Sequence, residues 1–327
     1  MGRIPAVDDV REAPDRTAGA DPSGTAGALS GLGVRPGDVL LVHASLRSLG
    51  PVAGGAWGVL AALRRAVGPE GTVVVPAFTP ENSDTSPHFR ARVRGLDAAA
   101  VEAVRAAMDP YDPALTPAPS MGVLAETVRT APGAGRSAHP QTSFAALGPR
   151  AHRLLAGHRP DCHLGEDSPL ARLYEADAKI LLLGTGYGTC TAFHLGEYRV
   201  PDPPRGNYRC VVAPHGVRRW WEYEDVALDD GDFPALGAAF EEAAGTGDVA
   251  TGRVGAAECR LLRLRAAVDF AALWLTGRRP RHAGWADAPG GGTACGTGAQ
   301  AFPGADRRTG GMATVIVNAV GSSPSLR

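Results

Sequence analysis

Unbroken apolar runs alternate with runs of helical period along this chain. "RPGDVLLVHASL" carries a continuous apolar stretch, Val39 to Val42, behind a Pro-Gly turn. That is the pattern of a strand buried on both faces. "AWGVLAALRRAVG" follows with apolar residues at helical spacing and a terminal glycine, the signature of a helix and its C-cap. "GTVVVPAFT" is then a second buried strand. Strand, helix and strand from Asp38 to Thr79 make a βαβ unit, which sets parallel strands beside a crossover helix. A short amphipathic helix, "TAGALSGLG", precedes this unit. "GVLAETVRTA" and "GPRAHRLLAG" read as further helices and "AKILLLG" as a third buried strand.

Farther on the period changes. "YRCVVAPHGVRRWWEYEDV" predicts a β-hairpin whose strands flank "PHG", with charged and aromatic residues crowding the second strand. "LLRLRAAVDFAALWLTG" is the last clear element, an amphipathic helix ending near Gly277. Residues 1–24 are polar and rich in Gly and Pro, and read as a flexible lead. Residues 280–327 lack apolar periodicity, apart from a strand-like "ATVIVNAV", and read as a disordered tail. The pattern predicts an α/β fold over 25–279, with a buried, largely parallel central sheet, flanking helices and a small β-hairpin lobe.

Composition narrows the function classes. The chain has 327 residues, and 33 Lys and Arg nearly cancel 34 Asp and Glu, leaving a formal net charge of -1. Nothing in that balance favours a nucleic acid or an anionic membrane as partner. The five cysteines, Cys162, Cys190, Cys210, Cys259 and Cys295, show no C-x-x-C spacing. That argues for a reducing compartment rather than a disulfide framework. No apolar run approaches the roughly 20 residues of a membrane span, and the first residues do not resemble a signal peptide. The expectation is a soluble, cytoplasmic protein.

The richest stretch chemically is "GTGYGTCTAFHLGEYR", Gly184 to Arg199, directly after the third buried strand. With Thr189 or Thr191 as N-cap, His194 and Glu197 fall on one face of the helix that follows. A histidine beside a carboxylate is what a general base requires, because the carboxylate orients the ring and stabilises the imidazolium. The same spacing also suits a capped helix with a surface His–Glu pair. Cys190 offers a thiolate near a helix start or a small buried apolar residue, and the G-x-S-x-G of a nucleophile elbow is absent. "LLVHASLRSLG" is a second strand-to-helix turn, placed where backbone N–H groups can meet phosphate. It is also compatible with an ordinary turn. His163 and Glu166 repeat the His194–Glu197 spacing, but neither pair has the H-E-x-x-H spacing of a zinc site, so no metal is expected.

The blocks "VHASLRSLG", "GPEGTVVVPAFT", "DPALTPAPSMGVLAETVR", "RSAHPQTSFAALG", "DSPLARLYE", "ILLLGTGYGTCTAFHLGEY" and "WWEYED" occur in this order. Together, over roughly residues 25–276, they resemble the aminoglycoside 3-N-acetyltransferase family, which uses acetyl-coenzyme A. The resemblance implies a family-specific α/β fold, distinct from the widespread acetyltransferase fold. It puts the catalytic histidine on His194, with Glu197 beside it. Ser137 and His139 are implied near coenzyme A or the acetyl group. His43, Ser45, Leu46 and Arg47 are implied around the pantetheine and pyrophosphate, with Thr191 also contacting the cofactor. A polycationic amino sugar needs carboxylates to replace its water shell. Glu81, Asn82 and Asp84 after the second strand, Glu166 in the loop before "SPLARL", and Asp225 in the hairpin are the candidates for that contact, and the resemblance favours Asp225. Asp161, Asp167, Glu222, Glu224, Asp229, Asp230 and Asp232 add to the acidic surroundings. The implied partners are acetyl-coenzyme A and an aminoglycoside, with a homodimer as a further expectation. Acyl transfer to another amine, and non-catalytic binding of coenzyme A or an amino sugar, remain open alternatives.

Overall fold

The computed structural model describes residues 21–279 apart from residue 246. The predicted disordered tail, and the predicted lead before residue 21, lie outside the described residues. The first helix begins at Pro22 and runs to Leu32, a few residues earlier than the periodicity predicts. Proline suits a first helical turn because its missing N–H would go unpaired there anyway.

Among the described residues, nine strands form two sheets. They are β1 (Val39–Ala44), β2 (Thr72–Pro76), β3 (Gly135–Arg136), β4 (Phe144–Leu147), β5 (Lys179–Leu183), β6 (Arg205–Val212), β7 (Arg219–Val226), β8 (Val249–Val254) and β9 (Ala257–Arg263). Seven of them make a central sheet in the order β3-β4-β2-β1-β5-β9-β8, while β6 and β7 pair separately as the hairpin lobe. Only β1–β2 and β1–β5 are parallel; the pairings β2–β4, β3–β4, β5–β9 and β8–β9 are antiparallel. The sheet is therefore parallel only at its centre, which corrects the expectation of a largely parallel one. The reason lies partly in β8 and β9, which are joined by Gly255 and Ala256 alone. So short a link can only add antiparallel strands.

The three central strands explain their own sequence. On β1, Leu40 and Val42 pack into one core with Val73, Val75, Leu181 and Leu183. Val39 and Leu41 pack into a second core with Val74, Ile180 and Leu182. Alternate side chains enter opposite faces, and because both faces are covered the run has no polar gaps. Helices Pro22–Leu32, Gly55–Val67 and Val123–Thr130 cover the first face. Helices Pro169–Glu175, Phe193–Tyr198, Phe233–Ala243 and Leu264–Arg278 cover the second.

Helix Phe193–Tyr198 lies close against helix Leu264–Arg278 at Gly196. A Cβ added there would meet Ala271 Cβ at 2.7 Å. The glycine thus sets how deeply this short helix sinks toward the core. Helix Leu264–Arg278 starts three residues later than predicted, because "LLR" before it belongs to β9.

Candidate active site

β1, β2 and β5 run parallel, so their C-terminal ends share one edge of the sheet. Ligands of such sheets bind beyond that edge, and a pocket of about 470 Å³ opens there. Val42 to Ala44 of β1 with Ser45 after it, Val75 and Pro76 of β2 with Phe78 after them, and the loop after β5 line it. Ser120 to Gly122, Leu124, Ala125, His194, Asp230 and Phe233 complete the wall. The volume falls within the range of small-ligand sites.

His194 and Glu197 meet on helix Phe193–Tyr198, as the spacing predicts. Nδ1 of His194 lies 2.5 Å from Oε2 of Glu197. Glu197 is buried, whereas the His194 side chain keeps 13% of its exposure, and only the histidine faces this pocket. The cap differs from expectation: Ala192 is the N-cap, with no side-chain cap, and Thr189 closes a separate 3-10 turn over Tyr187–Thr189. The ring of Phe233 stands 4.7 Å from that of His194 and walls it in.

His43 shares the strand parity of Val39 and Leu41, so it points to the face on which His194 sits. It lines the pocket, and its Nε2 is buried without a hydrogen-bond partner. Burial, with His194 adding to it, pushes the His43 pKa down to about 3, so the ring is neutral. Ser45 and Thr191 also line the pocket. Leu46 and Arg47 follow Ser45 in the short helix Leu46–Leu49, outside the lining. Cys190 lines the pocket as well, but burial pushes its thiol up to about 12. It is a thiol at neutral pH, and the nucleophile reading falls.

Ser137 and His139 are not among the residues that line this pocket. Both are buried. Ser137 Oγ lies 2.9 Å from Nδ1 of His158 and accepts from Phe144 N at 2.9 Å. His139 Nδ1 accepts from the backbone N–H groups of Gln141 and Thr142. Its ring lies tilted against those of His158 and His163, each with centroids 4.8 Å away. Burial, reinforced by the other two histidines, holds His139 well below the usual histidine range.

The substrate carboxylates are largely spent on the protein itself. Asp225 is buried, accepting from His163 N at 2.7 Å, His163 Nδ1 at 2.9 Å and Tyr198 OH at 2.5 Å. Burial opposes its charge, but the hydrogen bonds from His163 and Tyr198 prevail and hold the carboxyl below its usual range. On β7, Glu222 and Glu224 are exposed, while Asp225 lies on the other face, which looks into the protein. Asp84 lies between Arg105 at 3.0 Å and Arg209 at 2.9 Å. Buried Asn82 donates to the carbonyl of Val211, and Glu166 pairs with Arg199 at 2.8 Å. Glu81 accepts from Ser120, whose residue lines the pocket, so it supports the rim. None of these five stands in the pocket wall; Asp230 does.

Two site features escaped the sequence pattern. Phe233, at the start of helix Phe233–Ala243, was not singled out, although Asp230 just before it was counted among the acidic surroundings. Arg279, one residue past the last helix, donates to Glu197 Oε1. Among the described residues no group of three or more His, Cys, Asp or Glu could hold a metal ion, and no helix is long and apolar enough to cross a membrane.

A family model described as aminoglycoside 3-N-acetyltransferase matches residues 41–276. Aminoglycoside N(3)-acetyltransferase VII of Streptomyces paromomycinus is 36% identical over 278 residues, covering 80% of this chain and 92% of that protein. The SPbeta prophage-derived aminoglycoside N(3')-acetyltransferase-like protein YokD of Bacillus subtilis is 38% identical over 247 residues, 75% of this chain and 89% of its own length. The YokD crystal structure superposes with a TM-score of 0.74 at 35% identity, covering 80% of this chain and 94% of that one. The binary complex of AAC-IIIb with CoASH superposes at 0.67 with 31% identity, over 79% of this chain and 97% of that one. The match of motifs, fold and near full-length relatives has one meaning: the chain belongs to the aminoglycoside 3-N-acetyltransferase family.

Proposed function

We propose that this chain moves an acetyl group from acetyl-coenzyme A to the 3-amino group of an aminoglycoside, with His194 as general base. Antibiotic resistance or self-protection is the role that follows. The observation that carries the base assignment is the His194–Glu197 pair at 2.5 Å, presented to the pocket where three parallel strands end. The CoASH bound to AAC-IIIb supports a coenzyme A thioester as donor.

The reaction needs few parts. An amine attacks a thioester only after losing a proton, and His194 Nε2 takes it as the C–N bond forms. Glu197 holds Nδ1–H and stabilises the positive ring. The tetrahedral adduct then collapses, the C–S bond breaks, and His194 returns the proton to the departing sulfur. No covalent enzyme intermediate is required, so both substrates bind together. His43, Ser45 and Thr191 are read as contacts for the thioester end. Asp230, with Asp229 and Asp232 beside it, supplies the negative field for a polycation.

Transfer to a less highly charged amine is a second reading. One observation favours it: Asp84, Glu166 and Asp225 are already paired with protein groups. Thiol release from acetyl-coenzyme A with gentamicin-like, neomycin-like and unrelated amines separates the two. Turnover confined to aminoglycosides, with product acetylated at N3, is expected. Turnover only with simple amines would overturn the aminoglycoside reading.

A further inference from the structure

Glu197 divides its two oxygens between different tasks. Oε2 holds His194, while Oε1 accepts from Asp229 N at 3.0 Å and from Arg279 Nη1. Arg279 does more than touch Glu197. Its Nη2 donates to the Asp229 carbonyl at 2.6 Å and to Asp232 Oδ1 at 2.6 Å, and its Nε donates to Asp232 Oδ2 at 2.9 Å. Glu197 and Arg279 line a second cavity of about 400 Å³, distinct from the pocket of His194. The residue also lies beyond the segment matched by the family model, 41–276.

A buried carboxylate is costly unless an opposite charge and hydrogen bonds compensate it. His194 supplies a single N–H to Glu197. The guanidinium supplies the charge, and its planar fork fixes the orientation in a way a point charge would not. It also ties Glu197 to the 229–232 segment, which carries Asp230 of the pocket wall.

We propose that Arg279 is a positioning residue for acetyl transfer: it clamps Glu197 and compensates its charge, so that the carboxylate aims the His194 ring into the pocket. The proposal rests on the base assignment of His194. The charged and titratable groups around the imidazole are Glu197, Arg279 behind it, Asp232 beyond that, Asp230 in the pocket wall, and His43 and His163. Glu197 and the aspartates favour a proton on the His–Glu pair; Arg279 opposes it. Removing the cation therefore makes the pair take up its proton at higher pH.

The test is the pH dependence of kcat/KM for the full chain with acetyl-coenzyme A and an accepted amine. Arg279→Met and Arg279→Gln should move the acid limb up by about one pH unit, from Coulomb coupling across several ångströms at an effective dielectric of 20 to 40. They should also lower kcat roughly tenfold while leaving the acetyl-coenzyme A KM within about twofold, as loss of general-base alignment predicts. Arg279→Lys keeps the charge without the fork, and its limb should return to the wild-type position. The Gln variant retains N–H donors and serves if the Met variant does not fold. A limb unmoved in the neutral variants, whatever their melting temperature, would overturn the proposal, as would a Lys variant shifted as far as they are. His194→Ala is run alongside. Its inactivity combined with an unmoved Arg279→Gln limb would reject only the role of Arg279, whereas an active His194→Ala would reject the base itself.

Discussion

His194 and Glu197 stand three residues apart on one short helix, Nδ1 of the first 2.5 Å from Oε2 of the second, with the carboxylate buried and the ring open to the pocket. In the proposed reaction Glu197 holds the ring and does not itself meet the substrate. Glu197→Gln keeps an oxygen for Nδ1–H and removes the charge that stabilises the imidazolium. It should lower kcat by roughly tenfold to a hundredfold, within the range of general-base effects. Steady-state rates at saturating substrates check this, and a kcat within twofold of wild type would contradict it.

Asp225 is held by three protein hydrogen bonds and does not line the pocket that His194 faces. Its bonds to His163 and to Tyr198 fasten the β6–β7 lobe to the helix that carries His194. Asp225 accepts three buried hydrogen bonds as a carboxylate, and bonds to a charged group contribute about 1.5–3 kcal/mol each, so losing the charge costs about 3 kcal/mol or more. Asp225→Asn should therefore lower the melting temperature by roughly 5–10 °C in a domain of this size. The amine KM of the folded variant should stay near wild type. Calorimetry and steady-state kinetics on one preparation decide. An unchanged melting temperature with a raised amine KM would return Asp225 to the substrate site.

Four buried histidines make the fold sensitive to mild acid. Burial pushes His43 and His158 to about 3, and it also lowers His139 and, against the pull of Asp225, His163. In the unfolded chain each would titrate near its ordinary value of about 6.5. The unfolded state thus binds protons that the folded state refuses, so stability is full above pH 6.5 and falls as pH drops toward the folded values. Between pH 6.5 and 5 unfolding should take up about two to four protons, a loss of roughly 3–5 kcal/mol per pH unit at the lower end. Urea midpoints at pH 7.5, 6.5 and 5.5 measure the slope, and a flat profile would contradict it.

Much of this was legible in the sequence, for stated reasons. β1, β2 and β5 are covered on both faces, so their apolar runs are unbroken, and the hairpin announces itself through "PHG". His194 and Glu197 are local neighbours, and helical spacing alone brings them together. β8 and β9 were not legible, because they are partly exposed and end in "LLR", which merges with the helix after it. Nor can spacing tell which way a carboxylate faces. Asp84 is neutralised by Arg209, far along the chain and on the hairpin. Ser137 and His139 look reactive as residue types, yet tertiary packing seals them with His158. Arg279 fell at the seam between the last helix and a segment without periodicity, where no pattern marks a site residue.

The central claim is that His194 takes the proton from the attacking amine. Its most direct test is kcat for thiol release from acetyl-coenzyme A by wild type and His194→Ala, with an aminoglycoside at saturation and matched circular dichroism spectra. The account predicts a loss of roughly a hundredfold or more in a variant that still binds acetyl-coenzyme A. A folded His194→Ala protein that turns over at near the wild-type rate would contradict it.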